Sequence, residues 1–294
     1  MRPTVAAIIL VALAVHLQAQ RDRRDYSITR QDVIERTLRF ATGDVHTLDL
    51  RVVNGSIQVT GDGGPGVRLR VDRTVETDRE QFVDEARRDV RLDMMDGADT
   101  VGLIVREPPG AACGEPYNNG SHEPWWDRAR YRVRTDVTVH VPAATRFRVC
   151  GINTKTIDIA GVSGDFDVTN VNGAVTVRGV RGSGRATTVN GAVSVTFLDT
   201  PRDESLLKTV NGDVTAAFPA SLSADLKLKT FHGDLFTDFD VTPVAARPAV
   251  TPDRRDGRYV YRARGFTLVR AGRGGPEITL ETLNGDVRVV RATR

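Results

Sequence analysis

The side chains best suited to contact a ligand are two adjacent tryptophans, Trp125 and Trp126, the only two in the chain of 294 residues. They lie in the proline-rich segment 107–130, together with Tyr117. Paired indoles in a polar loop can stack on sugar rings or anchor a protein partner. Alternatively, the loop folds back and its aromatic side chains cover an exposed end of the fold. We predict Trp125, Trp126 and Tyr117 as ligand-contact residues.

A group of carboxylates offers a second kind of chemistry. Asp199, Asp203 and Glu204 resemble the acid clusters of glycan-cleaving β-helix enzymes, in which paired carboxylates serve as general acid and base. Because they flank Pro201 and Arg202 in a predicted surface loop, solvated charge is the favoured interpretation. The four histidines that follow the first 20 residues show no metal or catalytic spacing. We therefore predict a protein without enzymatic activity or cofactor.

Two aspartates offer a weak candidate for a metal site. Asp213 and Asp234 each follow a turn glycine in consecutive copies of a repeat, so stacking of these copies would bring the carboxylates together. Oxygen ligands suit Ca²⁺. However, the calcium-binding pattern G-G-x-G-x-D is absent, and hydrogen bonding of each aspartate to local backbone is the alternative. We predict no metal site.

Residues 1–19 have the features of a secretory signal peptide. Arg2 precedes an apolar run from Val5 to Val15, and Leu17–Ala19 forms a small-residue cleavage pattern. The run is too short to span a bilayer, although an uncleaved N-terminal anchor is the alternative. No later segment approaches ~18 consecutive apolar residues. The sequence predicts an exported, soluble mature chain, periplasmic or secreted, with a charged lead-in at 20–44.

Export makes the two cysteines informative. Cys113 and Cys150 are the only cysteines in the chain, and an even count in an oxidising compartment predicts a disulfide. The bond would close a loop of about 37 residues and stabilise the fold by roughly 3–4 kcal/mol. Two unrelated free thiols are the alternative.

Charge excludes one class of partner. Lys and Arg number 41 against 38 Asp and Glu, a formal net charge of +3, and the signs alternate along the chain. A nucleic-acid-binding protein needs a clustered basic patch to neutralise phosphates, so we predict no nucleic-acid partner.

A five-residue motif of the form Val-Asn-Gly-Ala/Asp-Val dominates the second half of the chain. Asn-Gly supplies a tight turn because both residues tolerate positive φ. The motif occurs, with variation, at Val53–Ile57, Val171–Val175, Val189–Val193, Val210–Val214, Phe231–Leu235 and Leu283–Val287. We predict structural turns at Asn172, Gly173, Asn190, Gly191, Asn211, Gly212, Gly233, Asn284 and Gly285.

The spacing of the repeat predicts the fold. The turn glycines from Gly173 to Gly233 are separated by 18, 21 and 21 residues, and glycines also recur every nine residues from Gly164. Nine residues fit one short strand and one turn, and alternating apolar residues give each strand one buried face. Stacked coils of ~18–21 residues then form an all-β, flattened β-solenoid with a continuous core. A chain of β-hairpins in a sandwich is the alternative.

The regular solenoid is predicted over 150–294. Its longest gap, 52 residues between Gly233 and Gly285, is assigned a degenerate turn at Gly265 and a loop insert at 241–258. The last coil would then be an end of the stack, where charge discourages end-to-end association. The charged residues that would serve there are Arg288, Arg291 and Arg294.

Residues 45–149 are predicted as an irregular first part of the same stack, containing the 107–130 insert. Thr77–Glu80 reads as a capping box that begins one short helix. Strands are predicted on either side of this helix, at Val45–Val53, Ser56–Thr60, Val67–Val75, Asp89–Met95, Thr100–Arg106 and Tyr131–Val141.

This order of elements resembles the bacterial putative-adhesin (toast-rack-like) β-solenoid domains, a family of unknown function. The resemblance rests on the helix, the strand ending Val139-His140-Val141-Pro142 and the Val-Asn-Gly-Asp-Val units, and covers most of residues 45–294. It implies an exported envelope protein acting in adhesion or envelope-stress sensing, with no catalytic motif. We therefore predict a non-enzymatic envelope binding or scaffold protein whose partner is an envelope polysaccharide or protein. The alternatives are a carbohydrate-active β-helix enzyme and a stress-sensing module.

Overall fold

The computed structural model describes residues 26–40, 46–64, 66–108, 112–115, 129–244, 253–255, 258–260 and 265–292. The predicted signal segment 1–19 lies outside these residues. One helix, α1, spans Gln81–Asp89. The strands, in chain order, are β1 (Ile28–Leu38), β2 (Thr47–Asp62), β3 (Val67–Thr77), β4 (Arg91–Asp96), β5 (Thr100–Arg106), β6 (Tyr131–Pro142), β7 (Arg146–Ala160), β8 (Phe166–Thr169), β9 (Ala174–Val180), β10 (Gly184–Thr187), β11 (Val193–Phe197), β12 (Ser205–Lys208), β13 (Val214–Phe218), β14 (Ala224–Lys229), β15 (Leu235–Thr237), β16 (Val241–Pro243), β17 (Asp253–Arg255), β18 (Arg258–Val260), β19 (Thr267–Ala271), β20 (Glu277–Glu281) and β21 (Val287–Arg291).

Two ladders of strands form the two faces of the molecule, and the long strands β2 and β7 take part in both. Face A runs β4–β5–β2–β7–β8–β10–β12–β20–β14–β19–β16. Face B runs β1–β3–β6–β2–β7–β9–β11–β13–β21–β15. From β7 onward, each coil adds one parallel strand to each face, and the last strands added in this way are β14 on face A and β15 on face B. The predicted flattened β-solenoid is confirmed.

The core lies between the two faces and follows the alternation in the sequence. Val193 and Val195 are fully buried in β11, whereas Ser194 between them is on the outer surface. Parallel register repeats this arrangement from coil to coil, so that Val193 lies between Val175 and Val214. A continuous apolar column results, as the period-2 pattern of the strands predicts.

The coils are not stacked in the order of the sequence. β20 lies between β12 and β14, and β21 lies between β13 and β15. The last coil of the chain is therefore internal, and the prediction that Arg288 and Arg291 protect a terminal coil is wrong. Arg294 lies outside the described residues. Face B instead ends at β15, whose flanks carry the acidic residues Asp234, Asp238 and Asp240.

The long gap in the repeat contains a cap rather than a degenerate coil. β19 pairs antiparallel with β14, and the short turn after β19 passes over the start of β14 to enter β20 on its other side. Ser223 holds this turn, since its hydroxyl donates to the carbonyl of Gly274 at 2.8 Å. The turn assigned to Gly265 is therefore wrong. The predicted loop at 241–258 contains β16, which pairs with β19, and β17, which pairs with β18.

The N-terminal part differs from its prediction in three places. β1 pairs along its whole length with β3, so Ile28–Leu38 is a strand rather than part of a solvated lead-in. The two strands predicted between residues 45 and 60 are one strand, β2. The helix α1 is confirmed, but without a side-chain cap. The hydroxyl of Thr77 donates instead to the carbonyl of Arg130 at 2.8 Å, because β3 extends as far as Thr77.

Candidate functional site

One corner of the solenoid, where each coil passes from face A to face B, carries a row of hydrogen-bonded side chains. We call this corner the amide corner and the row the amide row, because all but one of its members are asparagines. Each Nδ2 group donates to the Oδ1 atom of the preceding coil over 2.6–2.8 Å. His232 ends the row with its Nδ1 atom 2.9 Å from Asn284 Oδ1, and since that oxygen accepts, Nδ1 carries the proton. The row consists, in spatial order, of Asn153, Asn172, Asn190, Asn211, Asn284 and His232.

Close backbone contact explains the glycine that follows every member of the row except Asn153, which is followed by Thr154. Gly212 has a φ of +148°, and a Cβ atom on it would lie 2.3 Å from the carbonyl oxygen of Gly191. Thr209 fixes the approach, because its hydroxyl donates to that same carbonyl at 2.8 Å. The corresponding threonines of the other coils make equivalent bonds: Thr188, Thr282 and Thr230. In these four coils the turn therefore has a threonine two residues before the row member, as well as the glycine after it, whereas Asn172 has Asn170 at the threonine position.

The aspartate pair considered for Ca²⁺ is separated by another residue. Because β21 is internal, Asp286 lies between Asp213 and Asp234, and the prediction that these two occupy consecutive coils is wrong. The N–H of Asp286 donates to Asp213, and the N–H of Asp234 donates to Asp286, both over 2.9 Å. Arg288 contacts the Asp213 and Asp286 carboxylates at 2.6 and 2.5 Å. The Asp286 N–H and the Arg288 guanidinium hold the pKa of Asp213 below its usual range.

The acidic turn between β11 and β12 faces solvent. The Asp199 carboxylate pairs with the Arg181 guanidinium at 2.5 Å, and both side chains are more than half exposed. The backbone N–H of Asp203 donates to the hydroxyl of Ser183 at 2.9 Å, which ties the turn to the preceding coil. Asp203 and Glu204 are also exposed. These contacts favour solvated charge over acid–base chemistry.

The root of the 107–130 insert is held on the outer surface of face A. The predicted disulfide joins Cys113 to Cys150 of β7, with a Cα–Cα distance of 5.6 Å. Glu115 contacts Arg51 of β2 at 3.5 Å and Arg106 of β5 at 2.7 Å. Three neighbouring strands therefore fix the segment 112–115. Trp125, Trp126 and Tyr117 lie outside the described residues, and their contact role stays a prediction.

A buried carboxylate lies at the start of the insert. Glu107 is 6% exposed, and its Oε1 atom accepts a 2.8 Å hydrogen bond from the side-chain amide of Asn54. Burial raises the pKa of Glu107 to about 7, and the Asn54 bond partly opposes this rise. Sequence reasoning missed the pair, because nothing in the spacing links a repeat residue to an insert residue 53 positions away. It also missed Asn153, although 19 residues separate Asn153 from Asn172, a spacing within the coil period.

Glu107→Gln is expected to remove a pH dependence of stability. A folded-state pKa raised from 4.5 to about 7 stabilises the protein below pH 4.5 and loses that contribution as the pH rises to 7, on the order of 3 kcal/mol in total. Gln keeps an acceptor for Asn54 but does not ionise. The difference in unfolding free energy between variant and wild type, measured in urea from pH 4.5 to 8, should grow in favour of the variant. A constant difference across this range would contradict the assignment.

Part of the chain matches a known protein family. Residues 132–248, which contain β6 to β16, match the family described as Toastrack DUF4097. Over these residues the chain is similar to the Toastrack family. The resemblance to the toast-rack family is thereby confirmed, and the matched residues include five of the six members of the amide row, all except Asn284. No curated protein matches the chain.

The chain is also similar to solved structures. A putative cell adhesion protein from Clostridium sporogenes ATCC 15579 has a TM-score of 0.50 at 8% identity, over 90% of this chain and all of the other. A putative adhesin from Bacteroides fragilis NCTC 9343 has a TM-score of 0.20 at 11% identity, over 89% and 97% of the two chains. A putative lipid binding protein from Parabacteroides distasonis ATCC 8503 has a TM-score of 0.25 at 10% identity, with the same coverage. The first of these likenesses establishes a shared fold.

Two further observations concern the described part of the chain. None of its helices is long and apolar enough to cross a membrane. In the same residues, no three histidine, cysteine, aspartate or glutamate side chains are grouped so as to hold a metal ion.

Proposed function

We propose that this protein is an exported, non-enzymatic binding module of the bacterial envelope that contacts its partner through the 107–130 insert. The observation that carries the proposal is the anchoring of the insert root. A disulfide to Cys150 and ion pairs from Glu115 to Arg51 and Arg106 fix one end of a segment that contains both tryptophans. Anchoring of this kind lowers the entropy that a contact loop loses on binding.

Export is supported by two independent features. Residues 1–19 have the pattern of a signal peptide, and the Cys113–Cys150 bond belongs to an oxidising compartment such as the periplasm or the cell exterior. The shared fold with a solved structure named a putative cell adhesion protein agrees with a role at the envelope. The partner we propose is an envelope polysaccharide or an envelope protein.

The absence of enzymatic activity is part of the proposal. The acids considered for glycan cleavage lie on an exposed turn, where Asp199 is neutralised by Arg181. A general acid for this chemistry needs a raised pKa and a second carboxylate at a defined distance. Glu107 has the raised pKa, but its hydrogen-bond partner is an amide.

Binding and hydrolysis can be measured in one experiment. Purified mature protein is incubated with immobilised cell-wall and capsular polysaccharides and with envelope protein fractions, and retention is measured together with released reducing ends. We expect retention without product, and at least a tenfold loss of affinity in the Trp125→Ala/Trp126→Ala variant, because buried indoles are typical binding hot spots. Thermal unfolding of the variant provides the control, since a large fall in Tm would indicate that the indoles support the fold. Product release would contradict the proposal.

A further inference from the structure

The amide corner also carries a row of apolar side chains that the fold leaves exposed. In each coil the residue before the amide is aliphatic or aromatic, and three of these residues expose large fractions of their surface: Val189 39%, Leu283 44% and Phe231 40%. Backbone hydrogen bonds between coils align the row, for example from the N–H of Asn211 to the carbonyl of Val189. The row consists, in spatial order, of Ile152, Val171, Val189, Val210, Leu283 and Phe231.

We call the apolar row and the amide row together the corner stripe. Six coils contribute one residue to each row, so the stripe extends about 24 Å at the ~4.8 Å strand spacing. The amide row has a structural role, since it joins neighbouring coils. Val189 and Leu283 of the apolar row expose side chains to solvent, and a contiguous apolar strip on a protein surface commonly marks a site of interaction.

The backbone of the stripe cannot bind an extended peptide by strand addition. Strand addition requires free N–H and C=O groups at a sheet edge. Here the N–H of Asn190 donates to Val171, that of Asn284 to Val210 and that of His232 to Leu283. The side chains must therefore supply the contacts.

Charge next to the stripe is neutralised within the protein. On the side of face A, Glu281 lies between Lys208 and Lys229 and contacts both, at 3.0 and 3.1 Å. On the side of face B, Arg288 pairs with both Asp213 and Asp286, so that three cations and three carboxylates balance over the two sides. An anionic polymer needs basic side chains available for pairing, so the stripe favours an uncharged partner.

An uncharged partner must satisfy the amides as well as the apolar row. A side-chain amide has two donors and two acceptor lone pairs, so an amide that uses one donor and one lone pair in the row retains capacity for hydroxyl groups. An acyl chain would cover the apolar row but desolvate the amides without replacing their hydrogen bonds, which is costly. A pyranose ring has an apolar C–H face and a rim of hydroxyl groups, and it matches both rows.

We propose that the corner stripe binds a neutral polysaccharide chain lying along the stack of coils, one sugar unit at each step. The proposal rests on the proposed binding role of the protein, but it does not depend on Trp125 or Trp126. Successive coils present similar pairs of side chains at the ~4.8 Å strand spacing, an arrangement that suits a chain of repeating units. Phe231 and His232 end the stripe, with their ring centroids 4.5 Å apart.

The test uses the mature protein and matched charge insertions. In Val189→Glu/Leu283→Glu, two exposed apolar residues of the stripe become acidic, and in the control Val33→Glu/Leu198→Glu, two equally exposed residues elsewhere do so, Val33 being 52% and Leu198 46% exposed. Retention on neutral insoluble glucans and on chitin is measured at low and high salt, with neutral oligosaccharides as competitors. Circular dichroism and Tm establish that both variants are folded.

We expect the stripe variant to bind at least tenfold more weakly while the control binds as wild type. Equal binding by stripe variant and control overturns the inference, as does retention of wild type only by acidic polymers or by none. Loss of binding in the Trp125→Ala/Trp126→Ala variant alone would uphold the proposed function and overturn this inference. Loss in the stripe variant alone would uphold the inference and reject the insert as the contact.

Discussion

A chain that ends after Pro276 is expected to lose the folded solenoid, although only its last coil in the sequence has been removed. In repeat proteins whose units stack in chain order, removal of the last unit leaves a shorter folded array. Here β20 and β21 lie inside the stack, and without them β14 and β15 lose their parallel partners. β12 and β13 each lose one of their two parallel partners and keep β10 and β11 on the other side. Far-UV circular dichroism and thermal unfolding of the truncated chain measure the effect.

A substitution in the full-length chain tests the same internal position of β20. Leu280 is fully buried and is in register with Leu207 on one side and Leu228 on the other. Leu280→Ala should cost about 2–5 kcal/mol of unfolding free energy, as expected for a leucine in a packed core. A truncated chain that still unfolds cooperatively, with a Leu280→Ala effect below about 1 kcal/mol, would indicate that the coils stack in sequence order.

Gly212→Val is expected to destabilise the protein by more than about 3 kcal/mol. The φ of +148° disfavours a β-branched residue, and a Cβ atom would lie 2.3 Å from the carbonyl oxygen of Gly191. Because this oxygen belongs to the backbone, no change of side-chain rotamer can relieve the clash. The coils on both sides would have to separate, which would break the hydrogen bond from Thr209 and the amide row beside it. Urea unfolding at equilibrium measures the change.

The control for this variant is Gly63→Ala, because a Cβ atom at Gly63 meets no atom within 4 Å. It should alter the unfolding free energy by less than about 1 kcal/mol. Similar effects for the two variants would mean that close contact between coils does not limit the residue type at Gly212. The comparison therefore separates packing between coils from the general effect of replacing a glycine.

The candidate site could be predicted in part. Cys113 and Cys150 were predictable as a pair because no other cysteine competes for either one. The contacts around them were not, since Glu115 meets Arg51 and Arg106 only after β2 and β5 lie side by side. The Glu107–Asn54 pair was unpredictable for the same reason.

The corner stripe was predictable in its residues but not in their arrangement. Its asparagines were visible as turn residues, because a tight turn is a local property of Asn-Gly. Their joining into one row depends on the register between coils, which brings Asn211 next to Asn284 across 73 residues of sequence. The exposure of Val189 and Leu283 likewise depends on how the corner packs.

By itself the sequence determined the period, the turns and the inward face of each strand. These properties depend on neighbouring residues, through the φ angles that glycine permits and the alternation of apolar side chains along a strand. The tertiary structure alone decided the order of the coils. Every coil presents nearly the same parallel edge. The local sequence pattern therefore cannot show whether β12 pairs with β14, the next strand of face A in the chain, or with β20. The antiparallel cap of β19 on β14, and the turn that crosses from it into β20, select one arrangement.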